Sequence, residues 1–468
     1  MREISDSARS NGGNGAIQPR TCIIGAGSSG IAAAKALHER GLPFDCIEKS
    51  DRVGGNWVFA NKNGMSAAYR DLFINTSRQR MAYSDFPMPE SYPDFPHHTH
   101  IASYFDDYVD HFGFREKILF ETGVEHASRR DDGVWEVRLD NGQMREYDAL
   151  IVANGHHWKP RWPEPAFPGA DTFSGVQLHA HSYLDNSIFA GKRAVILGMG
   201  NSAMDIAVES SYVAERTYLA ARSGVWIIPK YIFGKPLDQL RNDPRVPFKL
   251  RQRVIQRLVR SYAGPPERYG LPKPTHRFGE AHPTVSGRIL DRIQHGTITP
   301  KPNIEALEGT QLRFVDGSVV EADVVVYCTG YQIAFPFFDE DFISAPDNHI
   351  ELFRRVFDPQ IPNVFFVGLL QPLGAIMPLA EAQGAWVGDY LRGDYALPPQ
   401  AAMLGDIAAD QSAMRKRYVT SKRHTIQVDF EDYLHKLEKE RAEGAARARA
   451  NGFQPPVNCL PSAATAVS

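Results

Sequence analysis

The sequence predicts an α/β protein made of two similar halves, and three observations lead to this prediction. Two glycine-rich turns, at Gly25 and Gly198, each follow a short apolar strand and precede a helix-forming run. The turns lie about 170 residues apart, and two buried strands that end in Gly155 and Gly330 repeat at nearly the same spacing. Each half also contains a hairpin pattern with a glycine turn. We therefore expect two doubly wound parallel sheets, each with a small antiparallel strand layer.

The first glycine-rich turn lies in TCIIGAGSSG, residues 21–30, and has the pattern G-x-G-x-x-G. Gly25 permits a tight turn, Gly27 lets the backbone approach a pyrophosphate, and Gly30 lets helix and strand pack closely. Glu48 ends the next strand, roughly 20 residues later, where its carboxylate can accept hydrogen bonds from a ribose diol. A glycine turn without a ligand is the alternative. The cofactor-binding residues predicted in this turn are Gly25, Ala26, Gly27, Ser28, Ser29 and Gly30.

The second turn, in GKRAVILGMGNSAMDIAVES (191–210), repeats the design with alanine in place of the third glycine. The next strand ends in Arg222 and Ser223 instead of an acidic residue. Because arginine can pair with a 2′-phosphate that a carboxylate would repel, we expect NADPH here. Arg222 could instead be a solvated surface residue. Two dinucleotide sites in one chain indicate a flavin and the nicotinamide that reduces it. The contacts predicted in the second turn include Gly198, Gly200 and Asn201.

The domain order follows from these repeats. A strand, a Gly/Pro turn containing Gln371 and a long helix, within residues 363–391, would return the chain to the first half, with the helix start facing the flavin ring. A plain packing element is the alternative for this unit. The expected divisions are a flexible tail at 1–18, an FAD domain at 19–185 and 320–440, an inserted NADPH domain at 186–319 with a helical insertion at about 230–290, and a second flexible tail at 441–468.

Composition limits the classes of function. The net charge of −3 argues against a nucleic-acid partner. The four cysteines form no CxxC pair and three lie in apolar runs, which indicates reduced thiols and a cytoplasmic protein. No apolar run is long enough for a transmembrane anchor, and no metal-ligand spacing occurs. The expected partners are a small nucleophilic substrate and O₂, with a homodimer as a candidate assembly.

A linker motif and five further segments give the chain a family resemblance. Phe173, Gly175, His179 and Tyr183 form F-x-G-x-x-x-H-x-x-x-Y. Together with GGNW (54–57), NTS (75–77) before YSDFP (83–87), GMGNSA (198–203), CTGY (328–331) and QPLGAIMP (371–378), they resemble the flavin-containing monooxygenases over about residues 18–395. This is the N- and S-oxygenating branch of the class B flavoprotein monooxygenases. The Baeyer–Villiger branch typically ends the linker motif in Trp followed by Pro or Asp, whereas this chain has Tyr183 and Leu184.

The resemblance implies two Rossmann-like domains, FAD, NADPH and a flavin C4a-hydroperoxide that oxygenates amine nitrogen, sulfide sulfur or indole. It places Asn75 over the flavin C4a position, as the catalytic residue and also as a contact of NADP. Baeyer–Villiger oxygenation of ketones, and an uncoupled NADPH oxidase or flavin reductase, stay open as alternatives. The other cofactor contacts are predicted at Asn56, Trp57, Thr76, Val124, Ser202, Ala203, Met204 and Asp205. Asn56 and Ala203 depart from the family, which often has Leu and Gly there.

Two further segments carry structural predictions. The proline- and aromatic-rich run at 84–98 is expected to be an ordered loop that walls the flavin pocket and keeps water out. The run at 249–264 predicts an amphipathic helix with Leu250, Val254, Leu258 and Tyr262 at helical spacing and a basic opposite face. We expect a docked helix with the basic face in solvent; contact with a membrane or a partner is the alternative.

Overall fold

The structure, a computed structural model, describes residues 18–240, 248–417 and 425–452. Its framework is two five-stranded sheets in which every strand pair is parallel, so the predicted two-module α/β architecture is confirmed. The first sheet has the spatial order Val364–Phe366, Ala149–Val152, Thr21–Ile24, Phe44–Ile47 and Ile118–Leu119. The second has the order Val176–His179, Val324–Tyr327, Arg193–Leu197, Arg216–Ala220 and Ile298–Lys301. In both sheets the strand before the glycine-rich turn is central.

Each module also carries a three-stranded antiparallel layer. The layers consist of Val124–Arg129, Trp135–Leu139 and Met144–Tyr147 in the first module, and of Ile304–Glu308, Gln311–Phe314 and Val319–Glu321 in the second. Four two-stranded pairs complete the sheets: Ile227–Ile228 with Thr284–Val285, Tyr231–Ile232 with Lys235–Pro236, Tyr331–Gln332 with Lys159–Pro160, and Gln371–Leu373 with Gln427–Asp429.

Helices cover the parallel sheets. The strands of these sheets are therefore buried, which explains why they are apolar runs in the sequence. The helices of the described residues are α1 (Ser28–Glu39), α2 (Arg78–Met81), α3 (His98–Phe112), α4 (Asn201–Val213), α5 (Phe248–Ala263), α6 (Ile289–Gln294), α7 (Met377–Arg392), α8 (Gln400–Arg417) and α9 (Phe430–Asn451). The alanine-rich α1 packs closely on α7, because a Cβ added at Gly384 of α7 would lie 2.9 Å from the Cα of Ala33. The close helix contact therefore depends on small residues on both sides.

The strand pairing moves both predicted domain boundaries. The strands Val176–His179 and Val324–Tyr327 pair with each other in the second sheet, although the predicted divisions assign both to the first domain. An outer strand joins a sheet by hydrogen bonds to a segment that can be distant in sequence. The positions of the glycine turns along the chain therefore do not predict which sheet it joins. The strand Val364–Phe366 pairs with Ala149–Val152, so the chain does return to the first sheet after the second module.

The predicted tail from residue 441 starts inside a helix, so this prediction is wrong for residues 441–451. Arg441 of α9 pairs with Asp389 of α7 at 2.5 Å, and Arg447 pairs with Glu440. A Cβ added at Gly444 would lie 1.9 Å from the ring of Tyr395, so this turn of the helix is tightly packed. The alanine-rich composition that suggested a tail also suits a helix. Residues 1–17 and 453–468, predicted as tails, lie outside the described residues.

Helix α5 forms where it was predicted but docks through a different face. Leu250, Val254 and Tyr262 are 52%, 57% and 55% exposed, whereas Gln252 and Val259 are buried. The Gln252 amide donates a hydrogen bond to the carbonyl oxygen of Phe278 at 2.6 Å. This bond satisfies a polar group that the sequence pattern would place in solvent. Among the described residues, no helix is long and apolar enough to cross a membrane.

Three of the four cysteines are free thiols, as predicted. Cys22 and Cys46 lie in the first sheet, and Cys328 follows a strand of the second. Burial raises the pKa of each of these thiols, which keeps them protonated and unreactive. Cys459 lies outside the described residues.

Candidate active site

The first glycine turn forms a cradle at the carboxyl end of the first sheet. Gly25 has φ +100°, and an added Cβ would lie 2.7 Å from the carbonyl oxygen of Ala153. An added Cβ at Gly30 would lie 1.8 Å from the carbonyl oxygen of Gly25. Helix α1 begins at Ser28 after Gly27, and no side chain caps it. Its first N–H groups are therefore left for an anion such as a pyrophosphate.

Glu48 fixes this cradle from the neighbouring strand. Its carboxylate accepts hydrogen bonds from the backbone N–H groups of Ala26 and Ser50, each at 2.7 Å. Burial raises the pKa of Glu48, and the two N–H donors oppose this shift. An ionised carboxylate has about four acceptor sites, so the remaining ones can serve a ribose diol.

The GGNW segment lies directly over the turn. Gly54 donates its N–H to the carbonyl oxygen of Ala26 at 3.0 Å, and a Cβ added at Gly55 would lie 3.1 Å from the Cα of Gly27. Only glycine fits this backbone-to-backbone approach. The Oδ1 of Asn56 accepts a hydrogen bond from the N–H of Ala67 at 2.7 Å, so this side chain shapes its own loop. The half-buried Trp57 packs against the core of the first module.

The second glycine turn forms an equivalent cradle. Gly198 has φ +139°, and an added Cβ would lie 2.8 Å from the carbonyl oxygen of Cys328. Helix α4 begins after Gly200 and also lacks a side-chain cap. Ala203, at the third position of the pattern, is fully buried in the core of the second module. Both helix starts thus present the same free N–H groups.

The side chains of the other residues predicted in this turn and at the end of the next strand differ in burial and in hydrogen bonding. Met204 is fully buried in the core of the second module, so its side chain points away from the cradle. Asn201 uses its Oδ1 to accept a hydrogen bond from the N–H of Val285 at 2.9 Å. Ser202 is half-buried. Arg222 and Ser223 are exposed just beyond the carboxyl end of the strand Arg216–Ala220, where the sequence placed them.

Asn75 and Thr76 lie in a stretch, residues 69–84, that touches both modules. The Tyr69 hydroxyl donates a hydrogen bond to Asp205 of α4 at 2.6 Å. The Tyr83 hydroxyl donates one to the carbonyl oxygen of Ser28, in the first turn of α1, at 2.6 Å. Asn75 and Thr76 are half-buried between these two anchors. The structure therefore places the predicted catalytic residue on a segment held by the starts of both cradle helices.

Two acids stand on α4 beside this stretch, the half-buried Asp205 and the buried Glu209. Burial raises the pKa of Asp205 to about 6, although the Tyr69 hydroxyl, Lys230 and Arg288 oppose the shift. Burial likewise raises the pKa of Glu209 to about 7, and the hydroxyl of Tyr183 donates a hydrogen bond to it. Tyr183, the final residue of the linker motif, is thus hydrogen-bonded to an acid of the second module.

His179 of the linker motif is buried and hydrogen-bonded within its own turn. Its Nδ1 accepts a hydrogen bond from the N–H of His181 at 3.0 Å. Burial, with a smaller effect from His181, lowers the pKa of His179 to about 4, so the ring is neutral at physiological pH. It packs at right angles to the ring of Tyr331 at a centroid distance of 5.3 Å. These contacts favour a structural role over proton transfer.

Gln371 and Val124 lie on strands outside the glycine turn. Gln371 is in a strand that pairs with Gln427–Asp429. The turn before it approaches the cradle, because a Cβ at Gly368 would lie 1.9 Å from the Oγ of Ser29. Val124 begins the antiparallel layer and is half-buried. No hydrogen bond of the described residues joins either side chain to the cradle.

The proline-rich run is an ordered loop, as predicted, and packs between three helices. Phe86 contacts the rings of Tyr104 and Tyr108 on α3 at centroid distances of 5.4 and 5.6 Å. Asp85 pairs with Lys35 of α1. The N–H of Ser84 donates a hydrogen bond to Glu381 of α7 at 2.8 Å. Its role in excluding water from the flavin stays a prediction.

Sequence reasoning missed Tyr69 and Lys230. The amino group of Lys230 donates a hydrogen bond to the carbonyl oxygen of Ile74, next to Asn75, at 2.9 Å. Neither residue lies in a motif, and each partner is more than a hundred residues away in the chain. No local signal could have identified them.

Two glycine cradles on two parallel sheets, in one chain, define the class of flavoproteins that bind both a flavin and a nicotinamide dinucleotide. Solved structures agree with this fold. S-allyl-L-cysteine S-oxygenase from Allium sativum matches with a TM-score of 0.69 at 24% identity, covering 93% of both chains. The open structure of cyclohexanone monooxygenase matches with a TM-score of 0.70 at 19% identity, covering 93% of this chain and 98% of that one.

The chain belongs to the flavin-containing monooxygenase family. The family model described as FMO-like, flavin-binding monooxygenase-like, matches residues 18–443. Flavin-containing monooxygenase 5 of Cavia porcellus is 37% identical over 431 residues, covering 88% of this chain and 80% of the relative. The Homo sapiens protein of the same name is 36% identical over 438 residues, covering 89% and 82%. The protein is therefore a flavoprotein monooxygenase that uses FAD and NADPH, and both cofactor predictions are confirmed.

Proposed function

We propose that this enzyme uses NADPH and O₂ to insert one oxygen atom into soft nucleophiles, namely amine nitrogen and sulfide sulfur, with indole as a further candidate. The substrate supplies the nucleophile, so the protein needs no nucleophilic side chain of its own. When bound, FAD accepts hydride from NADPH and activates O₂. The tasks left to the protein are to bind both dinucleotides, to exclude water and to place hydrogen-bond donors.

Named residues can carry out each task. The first turns of α1 and α4, both without a side-chain cap, suit the two pyrophosphates. Glu48 suits the ribose of FAD, and Arg222 suits the 2′-phosphate of NADPH. The Asn75 amide donates hydrogen bonds without an acidic proton, so it would supply a neutral donor beside the flavin.

One observation carries this proposal: the stretch with Asn75 is tied to α1 by Tyr83 and to α4 by Tyr69. The predicted catalytic amide is therefore held between the two dinucleotide cradles. That position suits a residue that acts where the flavin and the nicotinamide meet. A simple flavin reductase would not need a neutral donor there.

The test is a substrate panel in which product, NADPH consumption and hydrogen peroxide are measured together. Methyl phenyl sulfide should give the sulfoxide and a tertiary amine the N-oxide. The amount of oxygenated product should account for most of the NADPH consumed. Lactone from cyclohexanone without sulfoxide would instead establish Baeyer–Villiger activity. Peroxide as the sole product would establish an NADPH oxidase.

A further inference from the structure

We propose that four residues of the second module, Lys230, Tyr231, Asp238 and Gln239, form a clamp that fixes Asn75, and that NADP⁺ in the second cradle tightens this clamp. The inference rests on the proposed function, because it assumes that Asn75 acts beside the flavin. It assigns positioning roles to residues that belong to none of the sequence motifs.

The clamp holds the backbone on both sides of Asn75. On the N-terminal side, the amino group of Lys230 donates a hydrogen bond to the carbonyl oxygen of Ile74 at 2.9 Å. On the C-terminal side, Asp238 accepts one from the N–H of Ser77 at 2.6 Å. Both bonds involve a charged group, and such bonds are stronger than neutral ones. The two residues between these bonds, Asn75 and Thr76, are thus held by the second module.

Outer contacts align the clamp with the first module. Gln239 donates hydrogen bonds to the Oγ of Ser77 at 3.2 Å and to the Oε1 of Gln79 at 2.9 Å. The Tyr231 hydroxyl donates one to Asp94 of the proline-rich loop at 2.9 Å. The Lys230 amino group also lies 4.8 Å from the ring centre of Phe95 in the same loop. The clamp therefore joins both segments that were predicted to cover the flavin.

A continuous set of contacts links the clamp to the second cradle. The strand Ile227–Ile228, just before Lys230, pairs with Thr284–Val285. The Thr284 hydroxyl donates a hydrogen bond to the carbonyl oxygen of Met199 at 2.6 Å, and the N–H of Val285 donates one to Asn201 at 2.9 Å. Met199 and Asn201 belong to the glycine turn that binds the nicotinamide dinucleotide. A ligand that orders this turn can therefore order the clamp through one strand pair.

The Ser77 amide gives a direct measurement, because its hydrogen exchange reports on the bond to Asp238. Exchange is followed by mass spectrometry on peptides covering residues 72–80 of the FAD-loaded full-length protein, with and without saturating NADP⁺. In the wild type, NADP⁺ should slow exchange in this peptide by about tenfold. Lys230→Met should abolish the NADP⁺-dependent change, whereas Lys230→Arg, which keeps a cation, should retain most of it.

The matched control is Lys235→Met. Lys235 is an exposed lysine in the strand Lys235–Pro236, which pairs with the strand Tyr231–Ile232 directly after Lys230, and it makes no described contact with the first module. It should respond to NADP⁺ like the wild type. If Lys230→Met loses FAD or does not melt cooperatively, Asp238→Ala, which removes the acceptor of the Ser77 N–H, carries the same test. The clamp would be overturned by an NADP⁺ effect that is absent in the wild type, or by one that is unchanged in Lys230→Met or Asp238→Ala.

Peroxide release separates this inference from the proposed function. With a thioether substrate, Lys230→Met should release more peroxide per NADPH than Lys235→Met, with little change in the KM for the thioether. If the wild type forms no oxygenated product yet NADP⁺ still slows exchange at residues 72–80, the proposed function fails and the clamp stands. If product forms but exchange does not respond, the clamp fails alone.

Discussion

The exposed side chain of Arg222 lies beyond the carboxyl end of the strand Arg216–Ala220, in the module whose glycine turn we propose as the NADPH site. At the residue scale, this position is the one from which a side chain can reach the 2′-phosphate that distinguishes NADPH from NADH. Asn75 is the other residue whose chemical identity we expect to matter more for activity than its packing does. It is half-buried, and its amide is an uncharged hydrogen-bond donor. The first two predictions concern these side chains.

Arg222→Ala should raise the KM for NADPH by about tenfold or more and leave the KM for NADH nearly unchanged, since the lost interaction is charge-assisted. Initial rates with both coenzymes measure this. Arg216→Ala is the matched control, because Arg216 is an exposed arginine at the other end of the same strand. Equal effects of Arg222→Ala on both coenzymes would remove the phosphate role.

Asn75→Ala should increase the peroxide released per NADPH severalfold while the rate of flavin reduction changes little, because the amide is needed only after O₂ has reacted. Coupled assays of peroxide and sulfoxide measure this. Asn141→Ala, at the exposed turn of a distant hairpin, should behave like the wild type. Unchanged coupling in Asn75→Ala would exclude this residue from the mechanism.

At the scale of single elements, the packing of α4 and of α9 leads to two predictions about stability. Helix α4 carries Glu209, an acid buried against Tyr183 of the linker. Helix α9 continues past the point where composition suggested a tail and joins α7 through Arg441 and Asp389. Each contact brings together segments that are distant in the chain, and each has a measurable effect on stability.

The pKa of Glu209, raised by burial from an ordinary value of 4.5 to about 7, makes stability depend on pH. Between these values the folded state keeps a proton that the unfolded state has released, so raising the pH favours unfolding. Glu209→Gln removes this dependence. Relative to the variant, the wild type should lose about 1–3 kcal/mol of stability between pH 5 and pH 8.

Thermal melting of both proteins across this pH range measures the difference. The melting temperature of the wild type should fall relative to that of the variant as pH rises. Melting curves that shift in parallel would show that Glu209 does not titrate in this window.

Deleting residues 441–468 should lower the melting temperature by several degrees, because it removes the Arg441–Asp389 ion pair and the packing of Gly444 on Tyr395. Deleting only residues 453–468 leaves these contacts in place and is the control. If both truncations melt at the same temperature, the packing of α9 contributes nothing to stability.

At the scale of the whole molecule, we propose that the two cradles each bind one cofactor, FAD in the first and NADPH in the second. Gly30→Ala should release FAD, because its Cβ would lie 1.8 Å from the carbonyl oxygen of Gly25. Gly198→Ala should leave the protein yellow and weaken NADP⁺ binding by about tenfold or more, because its Cβ would lie 2.8 Å from the carbonyl oxygen of Cys328. Absorbance of bound flavin and calorimetry with NADP⁺ measure the two effects.

Gly405→Ala is the control for these variants, since an added Cβ there meets no atom within 4 Å. It should bind both cofactors like the wild type. Loss of FAD in Gly198→Ala, or full FAD retention in Gly30→Ala, would show that the two cradles do not act separately.

The candidate site was predictable where its residues are neighbours in sequence. Gly25, Gly198 and Glu48 follow from the spacing of strand, turn and helix, because that spacing alone fixes the geometry of a dinucleotide turn. Met204 was predicted as a contact from the family pattern, but its side chain faces the core. The exposure of Val254 on α5 was not predictable either, because an amphipathic pattern does not by itself determine which face of the helix packs against the protein.

The sequence by itself determined the two nucleotide-binding units, the cofactors and the family, since these depend on short patterns of glycine, apolar strand and helix. Only the tertiary structure decided what surrounds Asn75. Its neighbours are fixed by contacts such as Lys230 with Ile74, separated by 156 residues, and Tyr69 with Asp205, separated by 136. Hydrogen bonds between such distant residues form only after both sheets are built, so no local pattern encodes them.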